Sequence, residues 1–208
     1  MAAFPRTRPA RALHGRLLAL DPSTWPSQTV TFAQDRLGPV HWWATELHDP
    51  GISAALERAM PIALALDTGP AVVCHGDFHP LNVIVNGDTA TVIDWTDAGL
   101  GDAMGDVART ALLLRVAGVA TAEPALRSVL RAVAPALSRM YLREYRQIAP
   151  FDAARFRLWT TLHLLHGWAQ VRALHAGAVG SASERAQIPE GLAPWLKRRY
   201  DLAATQLP

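Results

Sequence analysis

The stretch His75-Gly76-Asp77-Phe78-His79-Pro80-Leu81-Asn82, continued by Val83-Ile84-Val85-Asn86-Gly87-Asp88-Thr89-Ala90-Thr91-Val92-Ile93-Asp94-Trp95, decides how this chain is read. Val72 and Val73 lead into it as an apolar strand. Val83–Val85 and Thr89–Ile93 read as two further strands, and Asn86-Gly87 between them is a tight-hairpin signal, because both central positions of such a turn need positive φ. A hairpin there would bring Asn82, before its first strand, beside Asp94, after its second. Asp77 lies on the turn just upstream. Two carboxylates and an amide oxygen would then converge, which is donor chemistry suited to a hard cation such as Mg²⁺. Asp97, Asp102 and Asp106 follow within a dozen residues of Asp94.

His75-Gly76-Asp77 with Asn82, then Ile93-Asp94-Trp95, Gly101-Asp102 and Asp106, resembles the aminoglycoside phosphotransferase and choline kinase-like family, which shares the plan of protein kinases. The resemblance implies an α+β, mostly helical fold: a kinase-like C-terminal lobe with a small β-hairpin core followed by helices. It also implies roles. Asp77 would be the catalytic residue that orients or deprotonates an acceptor hydroxyl, while Asn82 and Asp94 would hold Mg²⁺ on the phosphates of ATP or GTP. His75 and Asp106 would support the catalytic loop. His79, Asp97 and Asp102 are candidates for contact with substrate or phosphate. The implied partners are a nucleotide and a small molecule bearing a hydroxyl. One departure is visible, since Ala103 stands where the family pattern has a proline after Gly-Asp, a change expected to affect helix entry rather than chemistry.

The rest of the chain fits one domain over residues 1–208: leading helices and loops at 10–70, the core at 71–106, and a helical substrate-side region at 107–208. Half the residues are hydrophobic and 18% are charged, a composition of folded rather than disordered chains. The formal charge of +2 carries no nucleic-acid footprint, and Lys197-Arg198-Arg199 reads as a solvated helix face. Cys74 is the single cysteine, so there is no internal disulfide and no cysteine-rich metal site. No apolar run approaches the roughly 20 residues that span a bilayer, and a cytoplasmic protein is expected.

In order, the periodicities predict a helix over Ala10–Leu20, short helices near Phe32–Arg36 and Val40–Glu46, and a helix over Ala54–Leu66 capped by Ser53. Ala103–Val116 follows the core, with Gly118 as its stop. Glu123–Ile148 carries Pro135, which argues for a kink or a break. Asp152 caps a helix over Ala153–His175. Gly177–Ser183 reads as loop, and Pro194 starts a last helix to Ala204.

Two features shape the functional expectation. Kinase-like enzymes carry a strand lysine and a phosphate-covering loop ahead of the catalytic loop. Here the only lysine is Lys197, and residues before His75 read as helix and loop. An N-terminal lobe, missing from the chain or separately encoded, is therefore expected as a partner, with weak transfer by the chain alone and self-association through the open face. A non-catalytic binding module is the alternative. A hydrolase built on His75, Asp77 and His79 is a minor one, because His and Asp are zinc ligands. His163 and His166 read as packing residues. Residues 107–208 hold few acids among many arginines, which disfavours a polycationic aminoglycoside as acceptor.

Overall fold

The computed structural model describes residues 13–25, 33–66, 70–87, 89–121 and 123–206. The expected helix start at Ala10 and the residue Phe32 lie outside the described residues. The architecture is mostly helical α+β with two small antiparallel sheets.

Helix α1 spans Leu13–Leu17, α2 Gly38–Leu47 and α3 Pro50–Leu66. Strand β1 (Val72–Cys74) pairs with β4 (Gly99–Gly101), while β2 (Val83–Asn86) and β3 (Thr89–Val92) form the hairpin. Then come α4 (Ala103–Ala120), α5 (Pro124–Ile148), α6 (Ala153–Ala176), α7 (Ala182–Gln187) and α8 (Leu192–Ala204). The β1–β4 ladder, Val72 opposite Gly101 through Cys74 opposite Gly99, ties the start of the catalytic stretch to its end.

Helix α6 is the hub, packed against α2, α3, α4 and α8. Its buried residues surround the helix rather than forming one stripe: Trp159, Leu162, Leu164, Leu165, Trp168 and Val171 are all in the core. A helix apolar on all sides must be enclosed by others. Both of its ends are sealed. The Asp152 carboxylate accepts from Ala154 N at 2.9 Å and Arg155 N at 3.0 Å, and Gly177 closes the C-terminus in the left-handed region at φ 76°.

Several expectations are corrected. Ser53 is not the cap of α3. Asp49 is, accepting from Gly51 N at 2.9 Å and Ile52 N at 3.2 Å, with Ser53 Oγ turned back to the Asp49 carbonyl at 3.1 Å. Pro50 fits the first turn because its missing N–H would have no helical partner there. Gly118 does not stop α4, which runs on to Ala120. Gly118 serves close packing instead, since a Cβ there would meet the Arg131 backbone of α5 at 2.9 Å. Pro135 lies inside an unbroken α5. The loop predicted over Gly177–Ser183 is shortened by α7, which Ser181 caps with a reciprocal Glu184 capping box. The last helix starts at Leu192, two residues ahead of Pro194.

The hairpin exists, but its turn is shifted. Asn86 pairs with Thr89, so the two-residue loop is Gly87-Asp88 rather than Asn86-Gly87. Gly87 takes φ 57° and Asn86 stays in the strand; Asp88 lies outside the described residues. Sequence reasoning placed the glycine second in the turn, whereas the Val83–Val92 register places it first.

Candidate active site

The catalytic stretch is built around one buried carboxylate. Asp106, in the first turn of α4, accepts from His75 N at 2.7 Å and Gly76 N at 2.9 Å. The imidazole of His14 donates to the same carboxylate from Nε2 at 3.0 Å. Burial alone would push the Asp106 carboxyl up, but His14 beside it and the hydrogen bonds from His14, His75 and Gly76 outweigh that and hold it below its ordinary value. Gly76 is required here twice over. Its φ is +77°, and a side chain would collide with the Asp97 carbonyl.

His14 is the residue that sequence reasoning missed. It is 3% exposed, stacks on Phe78 with ring centroids 4.3 Å apart, and has Nδ1 2.6 Å from the Tyr141 hydroxyl. Both ring nitrogens are thus engaged, Nε2 with Asp106 and Nδ1 with Tyr141. The chain Tyr141–His14–Asp106 therefore joins α5, α1 and α4 behind the catalytic loop. The only available signal was a histidine inside an apolar helix, 92 residues from its carboxylate.

His75 is fully buried and both ring nitrogens are engaged. Nδ1 accepts from Asp77 N at 3.3 Å, so Nε2 carries the proton and donates to the Ile93 carbonyl at 3.0 Å. One imidazole thus spans the catalytic turn and the end of the hairpin. It has no nitrogen left for a metal, and among the described residues no group of three His, Cys, Asp or Glu side chains is placed to hold one. With both nitrogens engaged, His75 is not placed as the ligand that the zinc-hydrolase alternative needs.

Asp77 is half-buried at the surface of this scaffold. Asn82 Nδ2 donates to its carbonyl at 3.0 Å and to Oδ2 at 3.3 Å. His79 Nδ1 accepts from Leu81 N at 3.3 Å, which leaves Nε2–H to donate to Asp77 Oδ2 at 3.2 Å. Asp77 Oδ1 faces Arg109 of α4 at 3.8 Å. The amide nitrogen of Asn82 is committed to Asp77, which leaves Oδ1 as its remaining ligand atom. Ile93 N donates to the Asn82 carbonyl at 3.0 Å, so the hairpin closes at Asn82 and delivers Asp94 one residue beyond.

Asp94 is exposed and sits at φ 59°, in the left-handed region that Asp tolerates better than most residues. Thr96 Oγ1 donates to its Oδ1, leaving Oδ2 open. The amide oxygen of Asn82 and the carboxylate of Asp94, at the two ends of the hairpin, are oxygen donors of the kind that Mg²⁺ takes.

Asp102 and Asp97 differ from these. Asp102 caps α4 through Met104 N at 2.7 Å, and its other oxygen accepts from Trp159 Nε1 at 2.7 Å and Arg155 Nε at 2.9 Å. Arg155 also reaches the Leu66 carbonyl at 2.6 Å, so this carboxylate locks α6 to α3 and α4. A side-chain cap at Asp102 does what the absent proline would have done for helix entry, with Ala103 as the first helical residue. Asp97 is exposed and its carbonyl backs onto Gly76. Cys74 lies against the Asp102 carbonyl at 3.6 Å; burial, with Asp106 and Asp102 nearby, pushes its thiol well up, so it is chemically quiet. Lys197 lies on α8, paired with Asp201 at 2.7 Å and over the Trp168 ring.

Behind Asp77 a cavity of about 250 Å³ opens between the β4–α4 corner, α6 and the turn that holds Arg36. Arg36, Arg109, His163, His166, Asp97 and Trp159 are among its walls. His163 Nε2 lies 2.9 Å from the Gly105 carbonyl, and burial, with Arg109 and then Arg36 opposing protonation, lowers it to about 3. His166 packs its ring edge-on to Trp43 and is lowered to about 4 for the same reasons. Both are neutral at physiological pH.

Among curated proteins no match is found. The crystal structure of a thermostable mutant of aminoglycoside phosphotransferase APH(4)-Ia, in its apo form, has a similar fold, with a TM-score of 0.56 at 20% sequence identity. The similarity covers 92% of this chain and 61% of that one, so the chain spans about three-fifths of the length of the protein it matches. A family model described as the phosphotransferase enzyme family matches residues 6–159, which include His14, the whole catalytic stretch and Trp159. On that match, extending over well more than half of its length, the chain belongs to the phosphotransferase enzyme family.

Proposed function

We propose that this chain takes part in Mg²⁺-dependent transfer of the γ-phosphoryl group of ATP or GTP to a hydroxyl of a small molecule. The observation that carries this reading is the closure of the hairpin on Asn82. The bond from Ile93 N to the Asn82 carbonyl and the bond from Asn82 Nδ2 to Asp77 put the acceptor-side carboxylate, the amide oxygen and the Asp94 turn into one unit. Family membership supports phosphoryl transfer in general, and the roles of single residues are those that the resemblance implies.

Asp77 orients the acceptor hydroxyl. Its Oδ2 is held by His79 and Asn82, so Oδ1 is the oxygen presented to substrate. The acceptor oxygen forms its bond to phosphorus as the bridging oxygen departs with the nucleoside diphosphate, and the hydroxyl proton passes toward Asp77. Bound Mg²⁺ would neutralise charge developing on the phosphates, and the residues that would hold it are Asn82 and Asp94. Most of the catalytic effect in such a site is positioning. The buried Asp106 and His75 supply it by fixing the backbone on either side of Asp77.

Isothermal titration with Mg²⁺ and nucleotide tests the assignment. Asp94→Ala is expected to weaken Mg²⁺–nucleotide binding far more than Asp77→Ala, while Asp77→Ala abolishes transfer in a labelled-nucleotide assay with hydroxyl acceptors. Equal losses of binding in the two variants would remove the assignment of roles.

A further inference from the structure

We propose that the acceptor is a small molecule carrying an anionic group, a carboxylate or a phosphate monoester, seated between Arg36 and Arg109 in the cavity behind Asp77. This rests on the phosphotransferase reading above and adds the substrate class to it.

The argument is one of charge and size. Two guanidiniums from different parts of the chain line the same cavity. Arg109 is half-buried and reaches Asp77 only at 3.8 Å, longer than a hydrogen bond. Arg36 has no carboxylate within ion-pair distance among the described residues. Asp102 and Asp106 in the same wall are engaged by other hydrogen-bond donors, although Asp97 and Asp106 still draw on Arg109 electrostatically. Both oxygens of Asp106 are taken by His14, His75 and Gly76, and those of Asp102 by Met104, Trp159 and Arg155. Asp97 is exposed, at the mouth.

The neighbouring groups register the resulting field. Burial pushes the Arg109 guanidinium down, Asp77 draws it back, Arg36 pushes it down again, and Asp97 and Asp106 draw it back. His163 and His166 both feel Arg109 and Arg36 as opposing charges and stay neutral. Two guanidiniums facing one cavity, Arg36 with no carboxylate within ion-pair distance among the described residues and Arg109 with a single long contact to Asp77, can take an anion between them, and a planar guanidinium fork suits carboxylate and phosphate oxygens.

The cavity volume, about 250 Å³, lies just below the usual range of small-molecule sites, about 300–1,000 Å³. That suits a compact acceptor rather than an oligosaccharide. Arg109 lines the cavity and lies 3.8 Å from Asp77, so an acceptor anchored there by its anionic end holds its hydroxyl near Asp77. A polycation would meet Arg36 and Arg109 in the same wall.

Titration of the 208-residue chain with D-glycerate, inorganic phosphate, glycerol and kanamycin tests this, with Mg²⁺–nucleotide titrated against the same samples. Saturable binding of at least one anion is expected, with neither glycerol nor kanamycin competing. Binding to D-glycerate points to carboxylate acceptors, and binding to phosphate alone points to phosphate monoesters. Arg36→Gln should weaken anion binding at least tenfold, and Arg36→Lys should recover part of it, with thermal midpoints confirming that both variants fold. Anion binding that is unchanged in Arg36→Gln, or glycerol or kanamycin binding as well as the anions, overturns the proposal. If anions fail to bind while Mg²⁺–nucleotide binds normally, the substrate class is wrong and the phosphotransferase reading stands. If anions bind in an Arg36-dependent way and Mg²⁺–nucleotide does not, the pocket stands and the phosphotransferase reading falls.

Discussion

The two sides of the catalytic turn are built by opposite rules. On the inner side, Asp106, His75 and His14 are buried and every charged or ring atom has a partner. On the outer side the hairpin stands almost clear of the helices, with Ile84 and Val85 exposed on its two faces and Leu81 85% exposed at its base. A two-stranded hairpin is marginal by itself. What anchors this one is at its open end, where Val83 pairs with Val92, Ile93 N reaches Asn82, and the His75 imidazole holds the Ile93 carbonyl. Stability is concentrated behind the turn and the proposed chemistry in front of it, with His75 as the link. The inner side can therefore be broken only at a large thermodynamic cost, while the outer side can be changed with little.

The largest expected effect is on the inner side. Asp106→Ala would strand His75 N, Gly76 N and His14 Nε2 in a buried site. Removing one partner of such a buried set costs about 3–5 kcal/mol, a large part of the stability of a domain of this size. Chemical denaturation should show it directly. A loss under about 1 kcal/mol, within the range of ordinary substitutions, would mean that the carboxylate is not the keystone.

Acid is the next probe. The folded pKa of His163 is depressed to about 3 from 6.5, so the folded state binds fewer protons than the unfolded state below pH 6.5. Stability from this group is present above that pH and is lost as pH falls toward 3, by about 2 kcal/mol at pH 5. His166 adds to the loss in the same direction down to about pH 4. His163→Gln should flatten the fall between pH 6.5 and 4 in urea titrations, and an unchanged slope would contradict the buried neutral histidine.

How much of this was readable from the sequence follows the same division. The outer side is local: Asp77, Asn82, the hairpin and Asp94 lie within 18 residues, so spacing and turn chemistry were enough to bring them together. Even there the turn was misplaced by one residue, because Asn-Gly and Gly-Asp both suit a tight turn and only the Val83–Val92 register decides between them. The inner side is non-local. His14 meets Asp106 across 92 positions and Tyr141 across 127, and no local pattern distinguishes such a histidine from one packed in a core. The misread glycine has a similar cause. Gly118 was read as a helix stop, but its function lies in the backbone of α5, which a single-helix pattern cannot contain. Arg36 and Arg109 gained meaning only when the fold put them in one cavity.

A smaller effect is expected at the hairpin tip. Gly87 sits at φ 57° with open space around its Cβ position, so any penalty there is conformational rather than steric contact. Gly87→Val should cost about 1–2 kcal/mol, the penalty for a side chain in the left-handed region. The loss should appear mainly as faster amide exchange across Val83–Val92. Unchanged exchange would indicate that the open end alone sustains the hairpin.

The smallest stability change is predicted at Asp94, and its sign is opposite. Asp94 holds φ 59°, a conformation that glycine adopts without penalty and other residues adopt at some cost. Its side chain is exposed, and its described hydrogen bond is the one from Thr96. Asp94→Gly should therefore leave stability unchanged or raise it by up to about 1 kcal/mol, the usual gain when backbone strain at positive φ is relieved. If Asp94 is the metal-binding carboxylate proposed above, the same substitution removes Mg²⁺–nucleotide affinity. Thermal unfolding and titration on one sample would then move in opposite directions, as expected where an exposed residue is kept in a costly conformation for a ligand rather than for the fold. A clear loss of stability in Asp94→Gly would place Asp94 with the inner scaffold, and the division between the two sides would then have to be drawn beyond the hairpin rather than at His75.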